Sequence, residues 1–161
     1  MKRLVEKYSI KELMEGALQN GYFMRLDVII NYIGIEAYYG ENKWDLYEKY
    51  EITSDKDVLS SKDKFIELIQ SFEKNGCLSD RHALKLSNNV FLNIRDGAHR
   101  VACALYFGHE YIYGYIQNST PLSLMDRGYR LLKKRGFTNC ELEALENKKN
   151  KIFENIGGEN G

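Results

Sequence analysis

The stretch Asn93–Gly108 constrains this chain more than any other, because it joins a strand to a helix through a glycine turn and sets two cation-forming side chains at the junction. Upstream, Ala83–Ser87 and Val90–Ile94 alternate around the polar pair Asn88-Asn89, the pattern of a β-hairpin whose second strand delivers the chain to Asp96. After Gly97 the period changes. Ala98, Val101, Ala102 and Leu105 recur at helical spacing, and Gly108 follows as a stop. A strand entering a helix this way aims backbone N–H groups and the positive end of the helix dipole at one spot, which favours an anion there. His99 and Arg100 fall in that first turn.

The rest of the chain sets the limits on what this junction can serve. With 161 residues, 43% of them hydrophobic, residues 1–161 suffice for a single domain with its own core, and no repeat, low-complexity tract or linker divides them. Lys and Arg match Asp and Glu at 23 each, so no global field draws in nucleic acid and an anion site has to be local. Cys77, Cys103 and Cys140 lack CxxC spacing and no signal-like segment opens the chain, which points to a reduced, cytoplasmic protein. No apolar run reaches the ~20 residues of a membrane-spanning helix, so no membrane partner is expected.

Periodicity places the other elements. Ser9 and Glu12 have capping-box spacing ahead of the stripe Ile10, Leu13, Met14, Ala17 and Leu18, a helix ended by Asn20-Gly21. Tyr22–Tyr39 is rich in β-branched residues, but its length favours a helix, on which Arg25, Tyr32 and Glu36 share a polar row with Asp27 on the other side. Lys43–Tyr50 reads as a short aromatic helix over the core, and Glu51–Asp57 as a polar connection. Ser60-Ser61-Lys62-Asp63 then caps a helix with the stripe Phe65, Ile66, Leu68, Ile69 and Phe72, stopped by Gly76. Tyr111–Ile116 alternates as a strand that rejoins the hairpin, and Pro121 marks the end of that segment. Two helices divide at Gly136, the second opened by the capping-box pair Thr138 and Glu141, with a frayed glycine tail after Ile156. The expected fold is α+β: a small mixed sheet with a hairpin, a central helix after the Asp-Gly-x-His-Arg turn, and about six flanking helices.

The hairpin, the turn Asp96-Gly97-Ala98-His99-Arg100 and the following helix resemble the ParB N-terminal/sulfiredoxin-like superfamily, over roughly Phe65–Ile116, about a third of the chain. The resemblance implies a turn that cradles nucleotide phosphates, with Gly97, Ala98, His99 and Arg100 at the matching positions and Arg100 as a charged ligand. Sulfiredoxin-type repair needs a cysteine where this chain has Ala98, so thiol chemistry is set aside. The roughly forty C-terminal residues are too few for the DNA reader and dimerisation domain of partition proteins. Small-molecule kinases of the superfamily, including free-serine kinases, use a carboxylate from an N-terminal element as base, a part the resemblance gives to Glu36. Asp96 would contact Mg2+ or stabilise the turn. ATP or another nucleotide with Mg2+ and a small hydroxylated acceptor are the implied partners.

Such parts suit phosphoryl transfer, which needs oxyanions held by N–H groups and cations and a carboxylate at the accepting hydroxyl. Gly97 permits close approach of the backbone, Arg100 offers a two-pronged donor, and His99 can donate from a ring nitrogen. Plainer readings stand beside these. Asp96 also reads as an N-cap with Arg100 paired on the surface, and Glu36 as a solvated or paired residue, Arg25 being one partner. His82 and His109 lie near element ends without metal-ligand spacing. Lys133, Lys134 and Arg135 suit a solvated helix end, Tyr111, Tyr113 and Tyr115 suit sheet packing, and Cys103 suits a small core position. Two other functions remain open: a non-catalytic module for a nucleotide or phosphorylated ligand, and a DNA-partition accessory without its reader.

Overall fold

In the computed structural model, which describes residues 4–19, 22–75, 83–88, 92–117 and 126–157, the chain runs β1 (Glu6–Ser9), α1 (Ile10–Gly16), β2 (Leu18–Gln19), β3 (Tyr22–Phe23), α2 (Leu26–Tyr38), α3 (Asp45–Thr53), α4 (Val58–Asn75), β4 (Leu84–Ser87), β5 (Asn93–Asp96), α5 (Ala98–Tyr106), β6 (Tyr111–Ile116), α6 (Tyr129–Lys134) and α7 (Asn139–Gly157). The fold is mixed α+β, as the sequence predicts. The expectations placed on Asn20-Gly21, Gly76, Cys77, His82, Asn89, Val90, Pro121, Gly158 and Gly161 lie outside the described residues, as do the side chains of Ser87, Arg95 and Asp96. Gly157, expected in the frayed tail, is instead the last residue of α7.

The sheet has the order β1-β6-β4-β5, in which β6 pairs parallel with β4 and antiparallel with β1. The hairpin strands β4 and β5 pair antiparallel, with a register shift between Lys85 and Leu86. Strand β1 is an addition to the expected sheet, and β2 with β3 forms a separate two-stranded ladder. Both are too short and too irregular in hydrophobic pattern to announce themselves by alternation. Ser9 ends β1 and caps α1, its hydroxyl accepting from the Glu12 N–H at 3.2 Å.

Helix α2 is buried on nearly every side, from Leu26 through Ile35, which explains a sequence too apolar to show a clean stripe. It packs alongside α5, with α3 and α7 also against it. Arg25 is not part of the expected polar row. It precedes the helix and is buried with Asp27, forming two bonds to that carboxylate, Nε to Oδ1 at 3.0 Å and Nη2 to Oδ2 at 2.7 Å. Its Nη1 donates to the Ile94 carbonyl, tying the start of α2 to β5 just before the glycine turn.

Helix α1 stops at Gly16, so Leu18 belongs to β2. The expected Tyr22–Tyr39 helix starts only at Leu26, Tyr22 and Phe23 forming β3, while two other helices extend past the sequence expectation. Helix α4 begins at Val58, two residues before Ser60-Ser61, and Asp57 accepts from the Leu59 N–H at 3.2 Å. Helix α3 continues to Thr53, so Glu51 belongs to a helix and is buried instead of lying in a polar connection. The second capping box is complete: Thr138 N–H donates to Glu141 Oε1 at 2.8 Å, and Glu141 N–H donates to Thr138 Oγ1 at 3.2 Å.

Candidate functional site

Strand β5 brings the chain to Gly97, whose φ of 120° is a conformation that residues with a Cβ rarely adopt. The glycine also packs against Leu84 of β4, where a Cβ would overlap the leucine Cδ2. Helix α5 starts immediately, with Ala98 packed against the core and His99 and Arg100 in its first turn. Arg100 turns back over the glycine: its Nη1 donates to the Ala83 carbonyl at 3.1 Å, fastening the turn to the chain entering β4. The structure therefore brings Gly97, Ala98, His99 and Arg100 together, with the Asp96 backbone paired to Lys85.

His99 points toward α3 and α4. Its ring meets Phe65 edge-on at 4.6 Å between centroids, and its Nε2 stands 3.2 Å from the Tyr47 hydroxyl and 3.9 Å from Glu51 Oε1. Tyr47 is buried and its hydroxyl also donates to Glu51 Oε1 at 3.4 Å. Burial, and next the Glu51 charge, push the Tyr47 pKa far above its ordinary value, so the phenol stays protonated. Glu51 is 1% exposed, and its Oε2 has no hydrogen-bond partner among the described residues. Gly34 of α2 makes room for this cluster: a Cβ there would come within 3.1 Å of both Phe65 and Tyr47, whose rings stack at 5.2 Å.

A cavity of about 290 Å3 opens on this group. Glu51 and His99 line it together with Phe65 and Leu68, and Ser61 with the exposed Lys56 and Lys64 completes the wall. Its size suits phosphates or a small acceptor, while a whole nucleotide would leave its base and ribose outside. The cluster combines a buried carboxylate, a histidine bonded to a neutral phenol, and two lysines within one small opening.

Glu36 stands elsewhere. Its Oε2 accepts from Lys148 Nζ at 2.8 Å and its Oε1 from Asn42 Nδ2 at 3.1 Å, so the partner is Lys148 of α7 and not Arg25. Helices α2 and α5 lie side by side with Arg25 at Ile94 and Tyr39 stacked on Tyr106, which puts Glu36 beside the far end of α5. At 1.5 Å per residue, that end lies roughly 12 Å from the glycine turn. The carboxylate beside the turn is Glu51. Its sequence signal was the Tyr47 to Glu51 spacing of one helical turn, visible once the short aromatic helix is extended past Tyr50.

A second cavity, about 580 Å3, lies at that far end and is lined by Tyr32, Tyr106, His109 and Tyr111 among others. His109 meets Phe72 edge-on at 5.6 Å. Cys103 is a buried core residue, its thiol pushed up to about 12 by burial. Arg135, at the end of α6, donates to Ser54 Oγ at 2.7 Å and lies over the Tyr50 ring. Among the described residues no group of three or more His, Cys, Asp or Glu could hold a metal ion, and no helix is long and apolar enough to cross a membrane. No protein-family model matches the chain, and neither the curated proteins nor the solved structures contain a match to it.

Proposed function

We propose that this protein binds the phosphates of a nucleotide at the Gly97–Arg100 turn and transfers a phosphoryl group to a small hydroxylated acceptor. One observation carries the reading: the glycine-started helix α5 presents His99 to a small cavity that also holds two lysines and a buried carboxylate. Helix-start amides, the helix dipole and lysine ammonium groups attract phosphate oxygens. The enclosed carboxylate suits an acceptor hydroxyl that must be oriented and deprotonated. Mg2+ would arrive on the nucleotide and neutralise part of the phosphate charge, with Asp96 as the candidate contact. The superfamily resemblance of the Asp96–Arg100 turn supports the same reading.

Thermal unfolding of the purified chain with ATP, ADP or CTP and Mg2+ tests binding. At about a hundred times Kd, linkage gives about 2.7 kcal/mol, a rise in Tm of roughly 5–10 °C. The double variant Lys56→Ala/Lys64→Ala changes exposed residues, so it should keep the ligand-free Tm and lose a large part of that rise. No rise with any of the three nucleotides overturns the proposal. A second reading, a non-catalytic nucleotide-binding module, is favoured by the engagement of both Glu36 oxygens away from the turn. It prevails if nucleotide binds and ADP never forms in the presence of serine, sugars or polyols.

A further inference from the structure

We infer that Glu51 is the base that takes the proton of the accepting hydroxyl, an assignment that rests on the phosphotransfer reading above. Glu51 is 1% exposed, yet its Oε2 has no hydrogen-bond partner among the described residues. A buried carboxylate oxygen without a donor is costly in the free protein, and native structures rarely keep one without a reason. The oxygen belongs to a residue that lines the cavity beside the glycine turn, so a small rotation of the carboxylate toward the cavity lets a ligand there supply the missing donor. Lys56 and Lys64 line the same cavity and are exposed, which gives the opening a cationic side and an acceptor side. A small molecule that donates a hydroxyl to Glu51 while a phosphate meets the lysines satisfies both. Glu36 has no such vacancy, because Lys148 and Asn42 occupy its two oxygens.

The step balances without another reactant. The acceptor O–H bond breaks and its proton passes to Glu51 Oε2. The oxygen electron pair forms a bond to the terminal phosphorus, and the bridging P–O bond breaks with its pair leaving on the nucleoside diphosphate. The proton leaves Glu51 Oε2 for a water that enters the cavity when the products depart. Its Oε1 is 3.4 Å from the Tyr47 hydroxyl, itself 3.2 Å from His99 Nε2. Tyr47 and His99 therefore hold the carboxylate by its Oε1 and leave Oε2 for the acceptor. Tyr47 is a positioning residue, while Glu51 touches the reacting hydroxyl.

The experiment compares wild type, Glu51→Gln, Glu51→Asp and Glu36→Gln, reading ADP formation from MgATP with a pool of glycerol, glucose, myo-inositol and L-serine, together with each ligand-free Tm. Glu51→Gln is expected to lower kcat at least about a hundredfold with the KM for ATP within about twofold. It should also leave Tm equal or raised, since it replaces the buried oxygen that has no donor among the described residues and keeps an acceptor for the Tyr47 hydroxyl. Glu51→Asp should recover part of the turnover, and Glu36→Gln should stay within about twofold of wild type. A smaller fall in kcat for Glu51→Gln, or a fall in its Tm of more than about 5 °C, overturns the assignment and leaves phosphotransfer standing. Nucleotide binding by wild type without any ADP formed overturns the assignment and the transfer reading together.

Discussion

Gly97 lies against Leu84 so closely that a methyl group on its Cα would overlap the leucine side chain, and its φ of 120° already excludes most other residues. Two independent constraints therefore act on the residue that starts α5. Gly97→Ala should cost about 2–5 kcal/mol, combining backbone strain with overpacking. Gly108 provides the control, since its φ of 76° is also positive but nothing lies within 4 Å of a Cβ there. Gly108→Ala should cost only about 1–2 kcal/mol. Urea titrations of both variants check the ordering, and equal losses would show that Leu84 does not restrict the turn.

The Arg25–Asp27 pair holds the other side of the same junction. Burial opposes the charge on Arg25, but Asp27 more than offsets it and the guanidinium is held above its ordinary pKa. Asp27→Asn would leave that cation buried without its counter-charge, and should cost about 3–5 kcal/mol. Replacing both residues by apolar ones of similar volume should cost less than this single change, although the Ile94 carbonyl then loses its donor. Denaturant midpoints for the single and double variants distinguish the two outcomes.

How far the sequence discloses this arrangement depends on the range of the interactions involved. Ser9, Thr138, Glu141 and the Gly97 turn act over a few residues, so spacing alone located them. The alternation that marks Tyr111–Ile116 holds at its start, with Tyr111 exposed and Ile112 buried, and fails at its end, where Tyr115 is buried and Ile116 exposed. Strand β1 has no such contrast and exists by pairing with β6, more than a hundred residues away. The site divides along the same line. Residues 97–100 are contiguous and were legible, whereas Glu51 joins them only through the packing of α3 and α4 on His99. Charged side chains are seldom buried, so a glutamate after an aromatic helix reads as a solvated connection until the fold encloses it.

Glu141 gives the stability a measurable pH dependence. Burial raises its pKa, but the Lys49 ammonium at 2.7 Å and the Thr138 N–H and hydroxyl lower it by more, so the net shift is downward. A carboxyl with a lowered folded pKa contributes fully above the ordinary value of 4.5, and that contribution is lost as the pH falls through the folded value. Glu141→Gln should therefore unfold at a lower temperature than wild type at pH 7, with the gap narrowing steadily below about pH 4.5. Tm measured from pH 7 to pH 3 checks it. A gap independent of pH would assign the contribution to capping geometry alone.

Gly34 links helix α2 to the candidate site. Placing a Cβ 3.1 Å from Phe65 and Tyr47 forces at least one ring to move, and the rings are buried and stacked on each other. Gly34→Ala gains about 1 kcal/mol of helix propensity, against about 1–3 kcal/mol for overpacking, so the net expectation is a loss of up to about 2 kcal/mol. The larger effect should fall on the side chains that the rings support. A shift of Tyr47 opens its 3.2 Å contact with His99 and its 3.4 Å contact with Glu51, disrupting the line between carboxylate and imidazole. The His99 ring signals in NMR spectra should move in Gly34→Ala while those of His109, packed on Phe72 instead, stay in place. Unchanged His99 signals would mean that the rings yield without disturbing the cluster, and that Gly34 serves only the packing of α2.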